Sequence, residues 1–543
     1  MLARSFLALV ALSALMLCGA SAVAPKGPDS ANLSGDVEKL TATIDRLIAQ
    51  RWGETMTAPA PLADDAEFLR RVHLDLTGRI PSVEEARTFL ADRRPDKRAR
   101  LVEQLLGSSR YVAHFINVWR QLLLPEAGNN FQVRIQQSSF EAWLKQMIAK
   151  NAGYDEMARE LLNLPLDKSG TEIDLFLGNA ATPLAFYVAK EFKPENLAAS
   201  TARVFLGIKI ECAQCHNHPF AEWNREQFWG FAAFFGGVRS KRTQDFVLPD
   251  KEIKEKRELV IPGTERFAQA RFLNGVEPVW KSKSTSRGTL ADWMTAPGNP
   301  YFSRAAVNRV WEYFLGTGLV DPVDEMVGGD HRPSHPELLD VLAHEFAAHR
   351  FDVKFLIRAI TASQAYQLSS AANQPEAPAR ELFARMPLRG LTAEQMFDSV
   401  AAATGYRDRG NDDNYLAGLL GGQRSARAEF LTRFGAQTER AVEAQTSILQ
   451  ALSLMNGKVI AAATSLEDSE TLAAVVEAPF VATEERIATL YLAVLSREPQ
   501  AEEVKRAVQF VNDAGKRRKG SKKEALADVF WALLNSPEFI VNH

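Results

Sequence analysis

A short segment near the middle of the chain combines two thiols with an imidazole. Cys212 and Cys215 are separated by two residues, and His216 follows directly. In this C-x-x-C-H pattern the thiols can form thioethers to the porphyrin vinyl groups, and the adjacent imidazole can then ligate the iron. The pattern therefore predicts one covalently attached haem c, held by Cys212, Cys215 and His216.

The same residues are compatible with two other chemistries. A zinc site could recruit Cys212, Cys215, His216 and His218, although ligands so close in the chain would form a cramped tetrahedron. The two thiols could instead form a redox or structural disulfide, but thioredoxin-like pairs usually open a helix in a βαβ unit, and no such pattern surrounds this one. Haem is the favoured interpretation, and zinc and a disulfide remain the alternatives.

The third and last cysteine, Cys18, lies in a segment typical of an export signal. Arg4 precedes an apolar run over 6–17, and Ala20-Ser21-Ala22 supplies a small-x-small cleavage pattern. The run is shorter than the roughly 20 residues needed to span a bilayer. We expect cleavage after Ala22 and a periplasmic or cell-envelope location, with lipidation of Cys18 as the less favoured alternative because the bulky Leu17 precedes it.

A second group of polar residues lies in a loop interrupted by proline and glycine, where functional residues are often found. Its members are Asp321, Asp324, Glu325, Asp330, His331, His335 and Glu337. Carboxylates and imidazoles could bind a metal or substrate, and His331 and His335 are candidate metal ligands. The simpler interpretation is capping and turn chemistry, since Ser334 and Glu337 have capping-box spacing and Asp321 precedes a proline.

The second axial ligand of an iron is not fixed by the sequence. His218 is too close to His216 to reach the other face of a porphyrin. Candidate ligands elsewhere are Met294, Met326, Met386, Met396, His331 and His335. Seven aromatic side chains between Phe220 and Phe235 could form an apolar wall for a porphyrin. The helical spacing of Phe228, Phe231 and Phe235 favours ordinary core packing for most of them.

Composition limits the classes of protein and of partner. A chain of 543 residues with 46% hydrophobic residues can bury a large core, over several domains. The net charge of −3 argues against nucleic-acid binding, which needs a strongly basic surface. The one basic run, 516–523, is typical of a solvated turn. After the signal, no apolar stretch is long enough to cross a membrane.

Helical periodicity dominates the rest of the chain, as in Phe302, Ala306, Val310 and Phe314. Besides Ser334 with Glu337, the spacings of Ser82 with Glu85 and of Thr392 with Gln395 predict capping boxes that open helices. Only 238–286 shows short β-type alternation with scattered glycine and proline. The sequence thus predicts a mainly α fold with two helical lobes, 36–237 and 287–543, and a strand-and-loop insert over 238–286. A signal peptide over 1–22 and a tether over 23–35 precede them.

Several long stretches resemble one family of exported bacterial proteins. CAQCHNHPFAEW (212–223) and FLRRVHLDLTGRIPSVEE (68–85) resemble the planctomycete-type cytochrome c-like family. YFSRAAVNRVWEYFLGTGLVDPVDE (301–325), PSHPELLDVLAHEF (333–346) and NSPEFIVNH (535–543) are similar to the C-terminal domain that usually accompanies it. The resemblance implies haem at the C-x-x-C-H segment, and one haem only, because this chain has no second such pattern.

Three functions follow as hypotheses. The first is an exported redox protein with one haem c, which transfers electrons to a partner protein or serves as the redox module of an oxidoreductase complex. The second is a non-redox helical binding or scaffold protein, with Cys212 and Cys215 in a disulfide or on zinc. The third is an enzyme whose site lies between the lobes, where His216 would face the 321–337 loop. No residue identifies a substrate.

Overall fold

The computed structural model describes residues 30–128, 130–166, 180–217, 223–242, 246–282, 284–327, 331–371, 378–407, 425–434, 457–517 and 521–543. Several predictions fall outside the described residues. They are the signal peptide with Cys18, the first part of the tether, and the candidate residues His218, Phe220 and Asp330. Within the described ranges no helix is both long enough and apolar enough to span a bilayer.

Helices form most of the described structure, as predicted. Those before the insert are α1 (Ser30–Glu54), α2 (Asp65–Thr77), α3 (Val83–Ala91), α4 (Lys97–Leu106), α5 (Ser109–Leu123), α6 (Phe131–Ala149), α7 (Tyr154–Leu162), α8 (Leu184–Ala189), α9 (Pro194–Thr201) and α10 (Arg225–Ala232). Short 3₁₀ turns cover Pro125–Gly128, Glu211–Gln214 and Ala233–Phe235, and a π-helical turn covers Ala202–Leu206. Helix α1 begins at Ser30, within the stretch 23–35 that the sequence predicts as a tether.

The helices after the insert are α11 (Ser286–Met294), α12 (Phe302–Leu315), α13 (Pro336–Ala348), α14 (Val353–Ala362), α15 (Gln364–Gln367), α16 (Ala393–Thr404), α17 (Ala426–Phe434), α18 (Lys458–Ala463), α19 (Glu470–Glu477), α20 (Thr483–Leu495), α21 (Ala501–Arg517) and α22 (Ser521–Leu534). A further 3₁₀ turn covers Arg380–Leu382. The predicted mainly α fold is confirmed.

The predicted β-containing insert consists of two antiparallel hairpins. β1 (Arg239–Arg242) pairs with β2 (Val247–Asp250), and β3 (Glu258–Val260) pairs with β4 (Phe267–Gln269). A third pairing was not predicted: β5 (Arg389–Gly390) pairs with β6 (Val541–Asn542) at the C-terminus. Two-residue strands carry no period-2 signal, so the sequence could not show them.

Two of the three predicted capping boxes are confirmed. Ser82 with Glu85 caps α3, and Thr392 with Gln395 caps α16. The third is wrong: α13 begins at Pro336, whose fixed φ suits the first helical position, and this moves the cap position from Ser334 to His335. The Ser334 hydroxyl donates instead to the carbonyl of Leu319 at 3.2 Å.

The apolar side chains form two cores. The first contains residues from Leu40 to Met386, together with Leu492, and includes buried residues on both sides of the hairpin insert. The second contains residues from Leu391 to Phe539, together with Leu74 and Ile80 from the N-terminal part of the chain. The cores therefore cross the predicted boundary between the lobes, and the domain bounds remain a prediction from the sequence.

A buried ion pair joins α2 to the segment that enters the second core. Asp75 is 1% exposed, and Arg389 contacts its two carboxylate oxygens at 2.9 and 3.0 Å. Tyr366 and Asn542 donate to the same carboxylate at 2.8 and 2.7 Å. A buried carboxylate that accepts from three side chains in this way fixes the relative position of the elements that carry them.

The hairpin insert is attached through a second buried pair. Arg287, at the start of α11, contacts both carboxylate oxygens of Glu252 in the insert. The same guanidinium donates to the carbonyl of Leu162 at 2.7 Å, to that of Leu164 at 3.0 Å and to the Tyr187 hydroxyl at 2.7 Å. One arginine thus connects the insert with helices α7 and α8.

Replacing Asp75 by asparagine tests the first ion pair. We expect Asp75→Asn to lower the free energy of unfolding by about 3–5 kcal/mol, because Arg389 then stays buried without a counter-charge. Chemical denaturation measures the change. Asp340→Asn is the control, since the Arg304–Asp340 pair lies at the surface and is worth about 1 kcal/mol or less. An equal effect of the two substitutions would contradict this account.

His73 provides a test by pH. It is fully buried, neither ring nitrogen has a hydrogen-bond partner among the described residues, and burial lowers its pKa to about 4. Because the folded pKa lies below the unfolded value of about 6.5, the stabilisation is complete above pH 6.5 and is lost as pH falls towards 4. Between pH 7 and pH 5 we expect the wild type to lose about 2 kcal/mol more than His73→Leu. His344→Leu, which replaces an exposed histidine, is the control, and its unfolding free energy should vary with pH as that of the wild type does. Parallel profiles of unfolding free energy against pH for all three proteins would refute the prediction.

Candidate functional site

The C-x-x-C-H segment lies at the surface, where a 3₁₀ turn over Glu211–Gln214 carries its first three residues and Cys215 caps the turn. Cys212 and Cys215 are exposed free thiols, and His216 is also exposed. The Nδ1 atom of His216 lies 2.7 Å from the backbone carbonyl of Asn217. A proton on Nδ1 would satisfy that carbonyl and leave Nε2 with the lone pair that a metal ion requires. Two thiols and one imidazole are thus exposed within five consecutive residues, where a ligand can reach each of them.

The residues between the two cysteines hold the turn in place. Ala213 is buried, and its amide donates to the carbonyl of Ile210 at 2.9 Å. The carbonyl of Gln214 accepts from Trp229 Nε1 at 3.0 Å and from Arg225 Nε at 3.4 Å. The middle of the motif is therefore anchored to α10, while its reactive side chains lie at the surface.

The aromatic side chains that follow the motif belong to the core. Trp223, Phe228, Trp229, Phe231, Phe234 and Phe235 are each at most 8% exposed. Phe234 stacks on Phe272 of the insert, with ring centroids 5.1 Å apart. The packing interpretation is confirmed for these six rings. They are covered by protein and offer no open wall to a porphyrin.

Part of the 321–337 loop lies against the short segment 207–210, which leads into the motif and is called the motif strand below. Ile208 forms an antiparallel bridge with Glu325, and the amide of Met326 donates to the carbonyl of Gly207 at 2.9 Å. Lys209 and His331 each lie 3.4 Å from a carboxylate oxygen of Glu325. The sequence placed these residues in separate motifs, and the fold brings Glu325 and His331 beside the approach to Cys212.

His335 lies elsewhere. It is buried, its Nδ1 atom is 3.0 Å from the Ser334 hydroxyl, and its ring packs on Phe383. Burial lowers its pKa to about 4, with a further contribution from Arg51 at the end of α1. These contacts are with elements other than the motif, so His331 and His335 do not act on one site.

The four candidate methionines also separate. Met294, Met386 and Met396 are at most 3% exposed within the two cores. Met326 is partly exposed and packs directly on Gly207. Only this methionine of the four lies next to the strand that leads into the motif.

Sequence reasoning missed Glu211, the residue immediately before Cys212. Its Oε2 atom is buried without a hydrogen-bond partner among the described residues. Burial raises the pKa of this carboxyl group, and the positive charges of Arg203 and Lys209 oppose the shift. A charged residue beside the first cysteine was the available signal, but its burial depends on the tertiary packing.

A zinc site receives no support from the described part of the chain. In it, no three His, Cys, Asp or Glu side chains converge as metal ligands would. A fourth ligand for Cys212, Cys215 and His216 would have to be His218, which lies outside the described residues.

The chain matches two family models. Residues 43–240 match the model named PSCyt2, a protein of unknown function (DUF1549), and residues 286–511 match PSD1, a protein of unknown function (DUF1553). Together the matches support a two-domain family. The predicted pairing of two family domains is confirmed at this level, and the cytochrome c nature of the first domain and its haem c stay predictions. No curated protein and no solved structure matches the chain.

Gly207 allows the contact between the motif strand and the PSD1 loop to be tested. Its φ is +64°, and a Cβ atom there would lie 2.8 Å from the sulfur of Met326. We expect Gly207→Ala to destabilise the protein by about 3 kcal/mol, from left-handed strain and from this clash. Gly275→Ala is the control: its φ is +80° and no atom lies within 4 Å, so it isolates the strain, about 1–2 kcal/mol.

Adding Met326→Ala to Gly207→Ala should recover most of the difference between the two glycine variants. It removes the sulfur at 2.8 Å, and the Cβ atom of Ala305 at 3.2 Å remains. Thermal unfolding measures all four proteins. Equal losses for Gly207→Ala and Gly275→Ala would show that Met326 does not constrain this strand.

Proposed function

We propose that the protein is an exported redox protein that carries one haem c, covalently attached at Cys212 and Cys215. The observation that supports this most directly is the state of the motif. Both thiols are free and exposed, and His216, which directly follows Cys215, is also exposed. This donor set is the one that thioether attachment with a proximal histidine requires.

The residues of the motif have separate roles in this proposal. Cys212 and Cys215 attach the porphyrin, and His216 would ligate the iron through Nε2 while Nδ1 is held by the carbonyl of Asn217. Arg225 and Trp229 keep the backbone of Gln214 fixed, so the attachment points cannot drift apart. When bound, haem c would supply one-electron transfer.

The exposure of the segment favours electron exchange with another protein. A cofactor attached to surface thiols lies within reach of a partner, and no entry channel has to open. Export is part of the proposal because residues 1–22 have the pattern of a signal peptide, and haem c is attached on the exported side in bacteria.

A second candidate function has one observation in its favour. The bridge between Ile208 and Glu325 places carboxylate and imidazole groups of the PSD1 domain next to the motif strand. Such a junction of two domains is a common place for small-molecule chemistry. The protein would then be an oxidoreductase with its own substrate site rather than an electron carrier alone.

Haem staining after denaturing electrophoresis tests the proposal, because only covalently attached haem remains with the chain. We expect the full-length protein to stain when it is produced in a host with working haem-attachment machinery. The double variant Cys212→Ala/Cys215→Ala should not stain. His344→Ala, which removes an exposed imidazole outside the motif, should stain like the wild type.

A wild-type protein without stain in that host would refute haem attachment. Titration of thiols in the denatured, metal-free protein then identifies the alternative. Thiols that react only after reduction indicate a disulfide, and thiols that react fully without reductant exclude both a disulfide and haem c. Zinc in the purified protein would support the scaffold hypothesis.

A further inference from the structure

The β3–β4 hairpin carries an apolar pair that the protein itself does not cover. Val260 and Phe267 lie directly opposite each other in the hairpin, and they are 50% and 61% exposed. Their neighbours Leu259 and Ala268 form the adjacent pair, which points to the other face and packs on the first core. A large apolar side chain that is exposed beside a buried one is an informative deviation from ordinary burial.

This pair is the last one before the turn of the hairpin, and the turn is attached next to the C-x-x-C-H segment. Arg225 donates to the carbonyl of Pro262 in the turn and, through Nε, to the carbonyl of Gln214 at 3.4 Å. Arg266, also in the turn, pairs with Glu226. A single guanidinium thus connects the hairpin turn to the residue between the two cysteines.

We propose that the β3–β4 hairpin is the apolar cover of the haem group attached at Cys212 and Cys215, with Val260 and Phe267 as its contact residues. This inference rests on the proposed function. A porphyrin is a flat apolar ring, and on exposed thiols it would leave one face or edge in water unless nearby side chains cover it. The aromatic rings of α10 are buried in the core and cannot do so. The exposed pair on the neighbouring hairpin has the required chemistry.

A cover formed by the β3–β4 hairpin would raise the reduction potential of the haem. Water stabilises the additional positive charge of the ferric form, so exclusion of water favours the ferrous form and raises the potential. Arg225 is the positioning residue in this arrangement, because its two hydrogen bonds set the distance between the hairpin turn and the motif.

The test compares two double variants of the full-length, haem-loaded protein. Val260→Thr/Phe267→Thr removes the apolar pair and keeps residues that suit a strand. Val276→Thr/Val279→Thr removes two other exposed apolar side chains of the same insert, which are 55% and 84% exposed, and serves as the control. Redox titration gives the midpoint potential, and circular dichroism of the haem absorption bands reports the contacts of the ring.

We expect both variants to carry haem at the wild-type level, since the thiols are unchanged. The hairpin variant should show a negative shift of the midpoint potential and an altered haem dichroism, and the control variant should show neither. Arg225→Gln, which keeps the thiols and the apolar pair but loosens the turn, should produce a shift in the same direction.

The two proposals fail in different ways. A wild-type protein without covalent haem would overturn both. A fully loaded hairpin variant with the potential and dichroism of the control would overturn only the cover. Unchanged haem properties combined with slower electron transfer to a partner protein would also overturn it, and would assign Val260 and Phe267 to partner docking.

Discussion

The buried carboxylate of Asp75 is the constraint on which the two cores depend. Arg389, Tyr366 and Asn542 come from three parts of the chain far from α2, and all three donate to it. A charged group in such a site is tolerated only when every lone pair accepts a hydrogen bond. The main effect of the ion pair is therefore to specify a single arrangement of the chain, rather than to add stability. Because Asn542 is one of the donors, strand β6 is held against helix α2.

Helix α2 also connects the two cores through two consecutive arginines. Arg70 donates to the carbonyl of Phe539 at 2.7 Å, whereas Arg71 donates to that of Tyr366 at 2.6 Å. Successive residues of a helix differ by about 100° in direction, so adjacent guanidinium groups contact the second core and the first core respectively. The surface turn with Cys212 and Cys215 is attached to the first core by Ala213 and Trp229. The C-x-x-C-H segment on this platform has a fixed backbone although its thiols and imidazole are exposed to solvent.

The sequence predicted those features that a local pattern encodes. The mainly α fold, the short strands of the insert and two capping boxes follow from periodicity and from residues that act within one turn. It could not predict the β5–β6 pairing, because strands of two residues have no period. It misplaced the cap of α13, because the preference of proline for the first helical position outweighed the spacing of Ser334 and Glu337. At the site, the sequence shows C-x-x-C-H directly as a motif. The contact of Glu325 with Ile208 joins residues more than a hundred positions apart, and no local pattern encodes it.

The burial of the aromatic residues shows why the insert matters for the proposed chemistry. Rings at helical spacing after a haem motif can either cover a porphyrin or fill a core, and the sequence favoured the core without excluding the wall. In the fold, Phe234 stacks on Phe272 of the insert, so the rings of this region hold the hairpins against α10. One side of the insert therefore packs on these aromatic rings, and Val260 and Phe267 of the insert are exposed to solvent. In the proposed arrangement the aromatic segment acts on the site indirectly: it supports the hairpin, and the hairpin supplies the apolar side chains that would cover the haem.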